Sequence, residues 1–213
     1  MNIAIIGASG KAGSLIMEEA LRRGHQVTAI VRDAAKVQNP QVKVLEKDIF
    51  DIKADDLRDF DAVVNAFGAA PGQETLHVKA GRVLIEALNG LSGTRLVVVG
   101  GAGSLYVDED LTVRVMDTPD FPKEYYATAF NQGQNLQDLQ QSTGVNWTFI
   151  SPAAFFDPQG KRTGAYLKGK DRFITNKQGQ SYISYADYAI ALVDELERPE
   201  HKNARFTVVA EAE

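Results

Sequence analysis

The chain has 213 residues, a formal net charge of −5, apolar and charged fractions of 44% and 24%, and no cysteine. That length suits one domain with a substantial core. The missing cysteines exclude disulfides, thiolate metal sites and thiol catalysis, and the lack of a basic block argues against a grip on nucleic acid. His25, His77 and His201 are scattered and make no zinc spacing, so no metal is expected. No stretch reaches about 18 consecutive apolar residues and no signal-peptide pattern opens the chain, so a cytoplasmic protein without a membrane partner is expected.

Ile3-Ala4-Ile5-Ile6 is a continuous apolar run followed by Gly7-Ala8-Ser9-Gly10-Lys11-Ala12-Gly13 and then a helical pattern. This reads as a buried parallel strand, a glycine-rich turn and a helix, the opening of a doubly wound sheet that holds a dinucleotide. Gly7 lets the chain turn off the strand, Gly10 allows close approach of a pyrophosphate, and Gly13 lets the helix pack against the sheet. The helix N-terminus offers N–H groups to the phosphates, and Ser9 and Lys11 add a hydroxyl and a cation. Lys11 is followed by Ala12 rather than Ser or Thr, which disfavours a kinase or GTPase loop.

The first helix is expected to end at Gly24, with His25 at the surface. Val27–Val31 is the second predicted strand, and Arg32 stands at its carboxyl end. An acid there would bind the ribose of NAD, whereas a guanidinium can hold a 2′-phosphate, so NADP(H) is preferred over NAD(H). The alternatives are that Asp33 turns toward the ribose, or that both residues only solvate a loop. Gln41–Leu45 is the third strand. Asp48 and Ile49 suit an adenine site, or else are a surface acid and a core isoleucine. Asp61–Gly68 is the fourth strand, whose small terminal residues admit a ligand. A helix follows over Glu74–Leu88, with His77 expected to be exposed.

Arg95–Val99 is the fifth strand, and Gly100–Ser104 belongs to the crevice or forms a mobile loop. Leu105–Lys123 is irregular, a length that often marks a lid or binding loop. Glu124–Thr143 is a polar helix and Asn146–Ile150 the sixth strand. Ser151–Phe156 then falls against the nicotinamide half of a dinucleotide, and Phe155 and Phe156 either stack on an aromatic substrate or join the core. A small substrate lobe is expected over 151–184, with a short strand at Phe173–Thr175. Tyr185–Glu197 is an amphipathic helix and Ala204–Val209 the last strand. The expectation is a single α/β domain over 1–213, a Rossmann-type doubly wound parallel sheet with helices on both faces.

GASGKAG (Gly7–Gly13), TAIVRD (Thr28–Asp33), DIFD (Asp48–Asp51), VVVGGAGSL (Val97–Leu105), WTFISPAAFF (Trp147–Phe156), KRTGAY (Lys161–Tyr166) and SYISYADYAIALVDELE (Ser181–Glu197) together carry a resemblance. The chain resembles the atypical short-chain dehydrogenase/reductases of the NmrA-like and NADH-flavin reductase group, relatives of biliverdin IX-β reductase. The resemblance implies that Gly7, Ser9, Gly10, Lys11 and Ala12 hold the pyrophosphate and that Arg32 holds the 2′-phosphate. It also implies that Asp48 and Ile49 flank adenine, that Ala66, Phe67 and Gly68 pass along the ribose and pyrophosphate, and that Ser151 and Pro152 lie by nicotinamide.

One departure from the wider class decides the chemistry expected. Its alcohol and ketone enzymes use a Tyr-x-x-x-Lys pair, but Tyr125 is followed four residues on by Ala129, and Tyr126 by Phe130. A lone phenol is a weak acid, so carbonyl reduction is disfavoured. Hydride transfer to a flavin-like or quinone-like acceptor, with FMN or FAD as substrate, is compatible with that loss. Ser104, Tyr125, Tyr126, Phe155 and Phe156 are expected to form the acceptor pocket, the first three as candidates for positioning or proton donation. An NADP(H)-binding redox sensor of NmrA type is the alternative, and a nucleotide-sugar epimerase a weaker one. The protein is expected to be a monomer or homodimer.

Overall fold

The computed structural model describes residues 1–212. In chain order its elements are β1 (Asn2–Ile6), α1 (Lys11–Arg22), β2 (Gln26–Val31), β3 (Lys43–Glu46), α2 (Ala54–Leu57), β4 (Ala62–Asn65), α3 (Leu76–Leu88) and β5 (Arg95–Val99). There follow α4 (Lys123–Gln141), β6 (Asn146–Ser151), β7 (Phe155–Asp157), β8 (Leu167–Gly169), β9 (Tyr182–Ser184), α5 (Tyr185–Glu197) and β10 (Ala204–Val209). An eight-stranded sheet runs β3-β2-β1-β4-β5-β6-β10-β8, parallel throughout except for β8 at its edge. β7 and β9 make a separate parallel pair. This is the Rossmann-type α/β fold that the first thirteen residues announce.

The apolar runs are continuous because the central strands are covered on both faces. Along β1, Ile3 and Ile5 pack with Ile16 and Ala20 of α1 and with Tyr188 and Leu192 of α5. Ala4 and Ile6 point the other way, onto Leu84 and Leu88 of α3 and Leu136 and Leu139 of α4. The α1–α5 layer is also tied by charge. Buried Glu19 accepts from Arg22 and Arg23, and Arg23 reaches Asp194 at 2.6 Å and Glu197 at 2.9 Å. Burial pushes the Glu19 carboxyl up, but the hydrogen bonds from Arg22 and Arg23 outweigh it and hold it below its ordinary value.

Residues 152–181 lie beyond β6 and are held from α5. Ser184 caps that helix by accepting from Asp187 N at 3.0 Å. The fully buried Asp187 carboxylate in turn accepts from Thr163 N (2.9 Å), the Thr163 hydroxyl (2.7 Å) and Gly164 N (2.8 Å). Removing this acceptor orphans three donors. Asp187→Ala is expected to cost about 3 kcal/mol and to lower Tm by roughly 6–12 °C. Faster proteolytic cleavage within 158–166 should accompany it; an unchanged cleavage rate would show that the loop is anchored elsewhere.

The regions that depart from the sequence reading are those without periodicity. Phe173–Thr175 is not a strand; the short strands fall at β7, β8 and β9 instead. Among the described residues the 171–173 backbone bridges only to Tyr106, through Tyr106 N to Asp171 O and Phe173 N to Tyr106 O, too little partner for a ladder. The long stretch after β5 is pinned at several points. Val115 N donates to Leu105 O and Met116 N to Gly103 O, and Leu105 and Met116 are buried. Gly101 and Gly103 are part of that packing: a Cβ on the first would meet Gln132 Oε1 at 2.1 Å, and on the second Ala129 Cβ at 2.5 Å. Among the described residues no helix is long and apolar enough to cross a membrane.

Candidate cofactor and active site

The strand order reverses at β1, which has β2 on one side and β4 on the other. Ligands of open α/β sheets bind at the carboxyl ends of the strands at such a switch point. A cavity of about 680 Å³ lies there. Gly7 leaves β1 with φ +74°, and a Cβ on it would stand 2.6 Å from Ala66 O. A Cβ on Gly13 would stand 2.2 Å from Gly7 O, so the helix closes onto the backbone of its own turn. Gly10 begins α1 with no side-chain cap, and no acid sits in the first turn. The uncapped N-terminus, with Ser9, Gly10, Lys11 and Ala12 in the cavity wall, suits an anion.

At one end the wall is Arg32, Lys47, Asp48, Ile49 and Phe50. Arg32 is exposed and has no partner among the described residues. Asp33 is occupied locally: its carboxylate accepts from Ala35 N at 3.1 Å and lies 3.9 Å from Lys36. Asp48 accepts from Phe50 N at 3.0 Å, which caps a short turn and sets the carboxylate at the rim, while Ile49 is buried. Lys47 was not singled out by sequence. It is held on both oxygens of Asp56 at 2.7 Å. Burial raises the Asp56 carboxyl, but the hydrogen bonds from Lys47 and Lys53 N prevail and keep it low. With Lys47 paired to Asp56, the wall carries the cations Lys11 and Arg32 against the carboxylate of Asp48, a balance suited to an anionic ligand.

The middle is formed by Ala66, Phe67 and Gly68 after β4. His77, expected at the surface, is instead buried here, with its ring 5.7 Å from that of Phe67 and Nε2 3.5 Å from Ala69 N. Burial pushes its pKa below the ordinary value, and Glu74 only partly offsets this. The neutral form is therefore favoured in the folded chain. Its contribution to stability is complete above the unfolded value of about 6.5 and is lost as pH falls from there through the depressed folded value. The Tm of the wild type should drop more steeply below that point than that of His77→Gln; parallel slopes would assign the titration to another group.

The far end is Val99, Gly100, Thr128, Gln132, Phe156 and Tyr185. Of the residues expected at the acceptor, only Phe156 lies in this wall, its ring centroid 3.8 Å from that of Tyr185 with the planes tilted. Phe155 points away and is 61% exposed. Tyr125 and Tyr126 are 62% and 43% exposed, outside the wall, and Tyr126 stacks on Phe130. Helix α4 presents Thr128 and Gln132 to the cavity, four residues apart on one face. Ser104 is buried beneath Arg205 and accepts from it at 3.2 Å, apart from the cavity. Ser151 and Pro152 are buried behind the wall, with Ser151 Oγ lacking a partner among the described residues.

This arrangement has known counterparts. Residues 7–199 match the NAD(P)H-binding protein family. The chain belongs to the NAD(P)H-binding family. It is 69% identical to the uncharacterised protein YwnB of Bacillus subtilis over the full length of both chains. The crystal structure of a Streptococcus pneumoniae protein provisionally named NADH-flavin reductase is 48% identical, with a TM-score of 0.95 over 99% of this chain and 100% of that one. An NAD(P)H azoreductase of Xenophilus azovorans is 24% identical over 97% of this chain and 67% of that protein. These likenesses fit the NmrA-like and flavin reductase group. Within the NAD(P)H-binding family frame, the residues that sequence reasoning missed are Lys47, His77, Thr128, Gln132 and Tyr185. Thr128 and Gln132 carry a signal, a polar pair at helical spacing. Lys47 adjoins the predicted Asp48 and His77 opens the helix that follows β4, whereas Tyr185 carries no signal, since only the packing of α5 brings it to the cavity.

Proposed function

We propose that this protein is an NADPH-dependent reductase of flat, redox-active acceptors of flavin-like or quinone-like type. The observation that carries the reading is the cavity itself. It runs from Arg32, unpartnered among the described residues, to the aromatic Phe156–Tyr185 wall, and the tyrosines of α4 lack the lysine four residues on. Bound NADPH supplies the hydride. Arg32 holds the 2′-phosphate, with Lys47 beside it. The α1 N-terminus, Ser9 and Lys11 hold the pyrophosphate, and Gly7, Gly10 and Ala12 leave it room. Ala66, Phe67 and Gly68 flank the ribose, and Asp48 and Ile49 the adenine. Phe156 and Tyr185 form an apolar face against which an acceptor ring lies and from which water is excluded. The names of the flavin reductase and azoreductase relatives support an aromatic acceptor.

The test is the loss of reduced-nicotinamide absorbance with purified protein and FMN or menadione. Oxidation that depends on the acceptor and is faster with NADPH than NADH is expected. No oxidation, with NADPH still binding in a fluorescence titration, would overturn the reductase reading.

A further inference from the structure

Resting on the reductase reading, we infer that Tyr185 is the hydrogen-bond donor to the acceptor, at the carbonyl oxygen or ring nitrogen where negative charge gathers as hydride arrives. Tyr185 is the first residue of α5, placed at the cavity by the Ser184 cap and by the β7–β9 pair. Register sets Phe156 beside Ile183, which brings the Phe156 and Tyr185 rings to 3.8 Å with their planes tilted by 38°. That contact fixes the ring in the cavity wall. The Tyr185 hydroxyl makes no hydrogen bond among the described residues, unlike that of Tyr188 one turn on, which donates to Ile150 O at 2.7 Å. A half-buried phenol with a fixed ring and an unused hydroxyl is preorganised to donate. Burial also raises its pKa, so it stays a neutral donor. Tyr125 and Tyr126 lie outside the wall and Ser104 beneath Arg205; among the described residues the other side-chain donors at that end are Thr128 and Gln132 of α4, whereas Tyr185 alone stands on the aromatic side with Phe156.

Electrostatic stabilisation of this kind acts on developing charge rather than on the ground state. Tyr185→Phe keeps the ring and its stack on Phe156 and removes only the donor. It is expected to lower kcat roughly 100-fold with menadione while leaving the Kd of NADPH unchanged. A second readout needs no turnover. In the NADP+ complex, 2-hydroxy-1,4-naphthoquinone binds as an anion whose oxygen imitates the developing charge, whereas menadione is neutral. Tyr185→Phe should weaken the anion roughly 10-fold or more and menadione about twofold or less, read from the quinone absorption bands. Equal weakening of both probes would assign Tyr185 to packing and overturn the inference while leaving the reductase reading intact. If neither probe binds or is reduced by the wild type, the inference fails together with the quinone reading.

Discussion

Arg32→Ala should raise the Kd of NADPH roughly 10- to 100-fold and leave that of NADH within about twofold, the range expected for losing a charge-assisted bidentate contact. The size follows from the state of the guanidinium. It is exposed and unpartnered among the described residues, so binding a phosphate breaks no existing ion pair. The competing carboxylate, Asp33, is engaged by Ala35 N and lies near Lys36. Lys47 cannot replace Arg32 without leaving Asp56, on which it holds two contacts of 2.7 Å. Fluorescence titration of both nucleotides at two ionic strengths is the check. NADPH affinity in the wild type should fall with salt, and the variant should show a shallower fall. Equal losses for NADPH and NADH would remove the 2′-phosphate from Arg32.

Gly13→Ala should destabilise the fold by about 3 kcal/mol, lowering Tm by roughly 6–12 °C, and abolish nucleotide binding at accessible concentrations. A methyl group there stands 2.2 Å from Gly7 O and 2.8 Å from Gly7 C. Both are backbone atoms of the turn that leaves β1, so relief requires moving the helix away from its own loop. Moving α1 also moves Gly10, Lys11 and Ala12, the part of the wall suited to the pyrophosphate. Gly24→Ala is the control. Its φ is +81° but no atom lies within 4 Å of the added carbon, so only the backbone strain of about 1 kcal/mol is expected. A Gly13→Ala variant as stable as the wild type would mean that the turn and helix can separate without cost.

Much of the fold was legible because its signals are local. Two-faced burial makes β1, β2, β4, β5 and β6 read as apolar runs, and Gly24 stands just past the end of α1 with φ +81°. The last helix, Tyr185–Glu197, and the last strand, Ala204–Val209, lie where periodicity puts them. Leu167–Gly169 was not legible. Two of its three residues are exposed and one is glycine, so it carries no alternation, and it is a strand only because β10 offers an open edge. The aromatics after β6 show the same limit. Phe155 and Phe156 are adjacent and chemically alike, yet successive strand residues face opposite ways, and only the pairing with β9 decides which one meets Tyr185.

Local sequence alone sets the glycine-rich end of the cavity. The turn from Gly7 to Gly13, the uncapped helix behind it and Arg32 at the end of the next strand all lie within one βαβ unit, and their geometry follows from short-range sterics and dipoles. Tertiary structure decided the other end. Tyr185, Phe156 and the Thr128–Gln132 pair come from three elements, α5, β7 and α4, that meet only through the strand order and the packing of α4 and α5. Periodicity reports which face of an element is buried, not which neighbour it is buried against. Hence the chain points to Ser104 and the tyrosines of α4 and gives no sign of Tyr185, and long-range packing brings Tyr185 to the cavity instead.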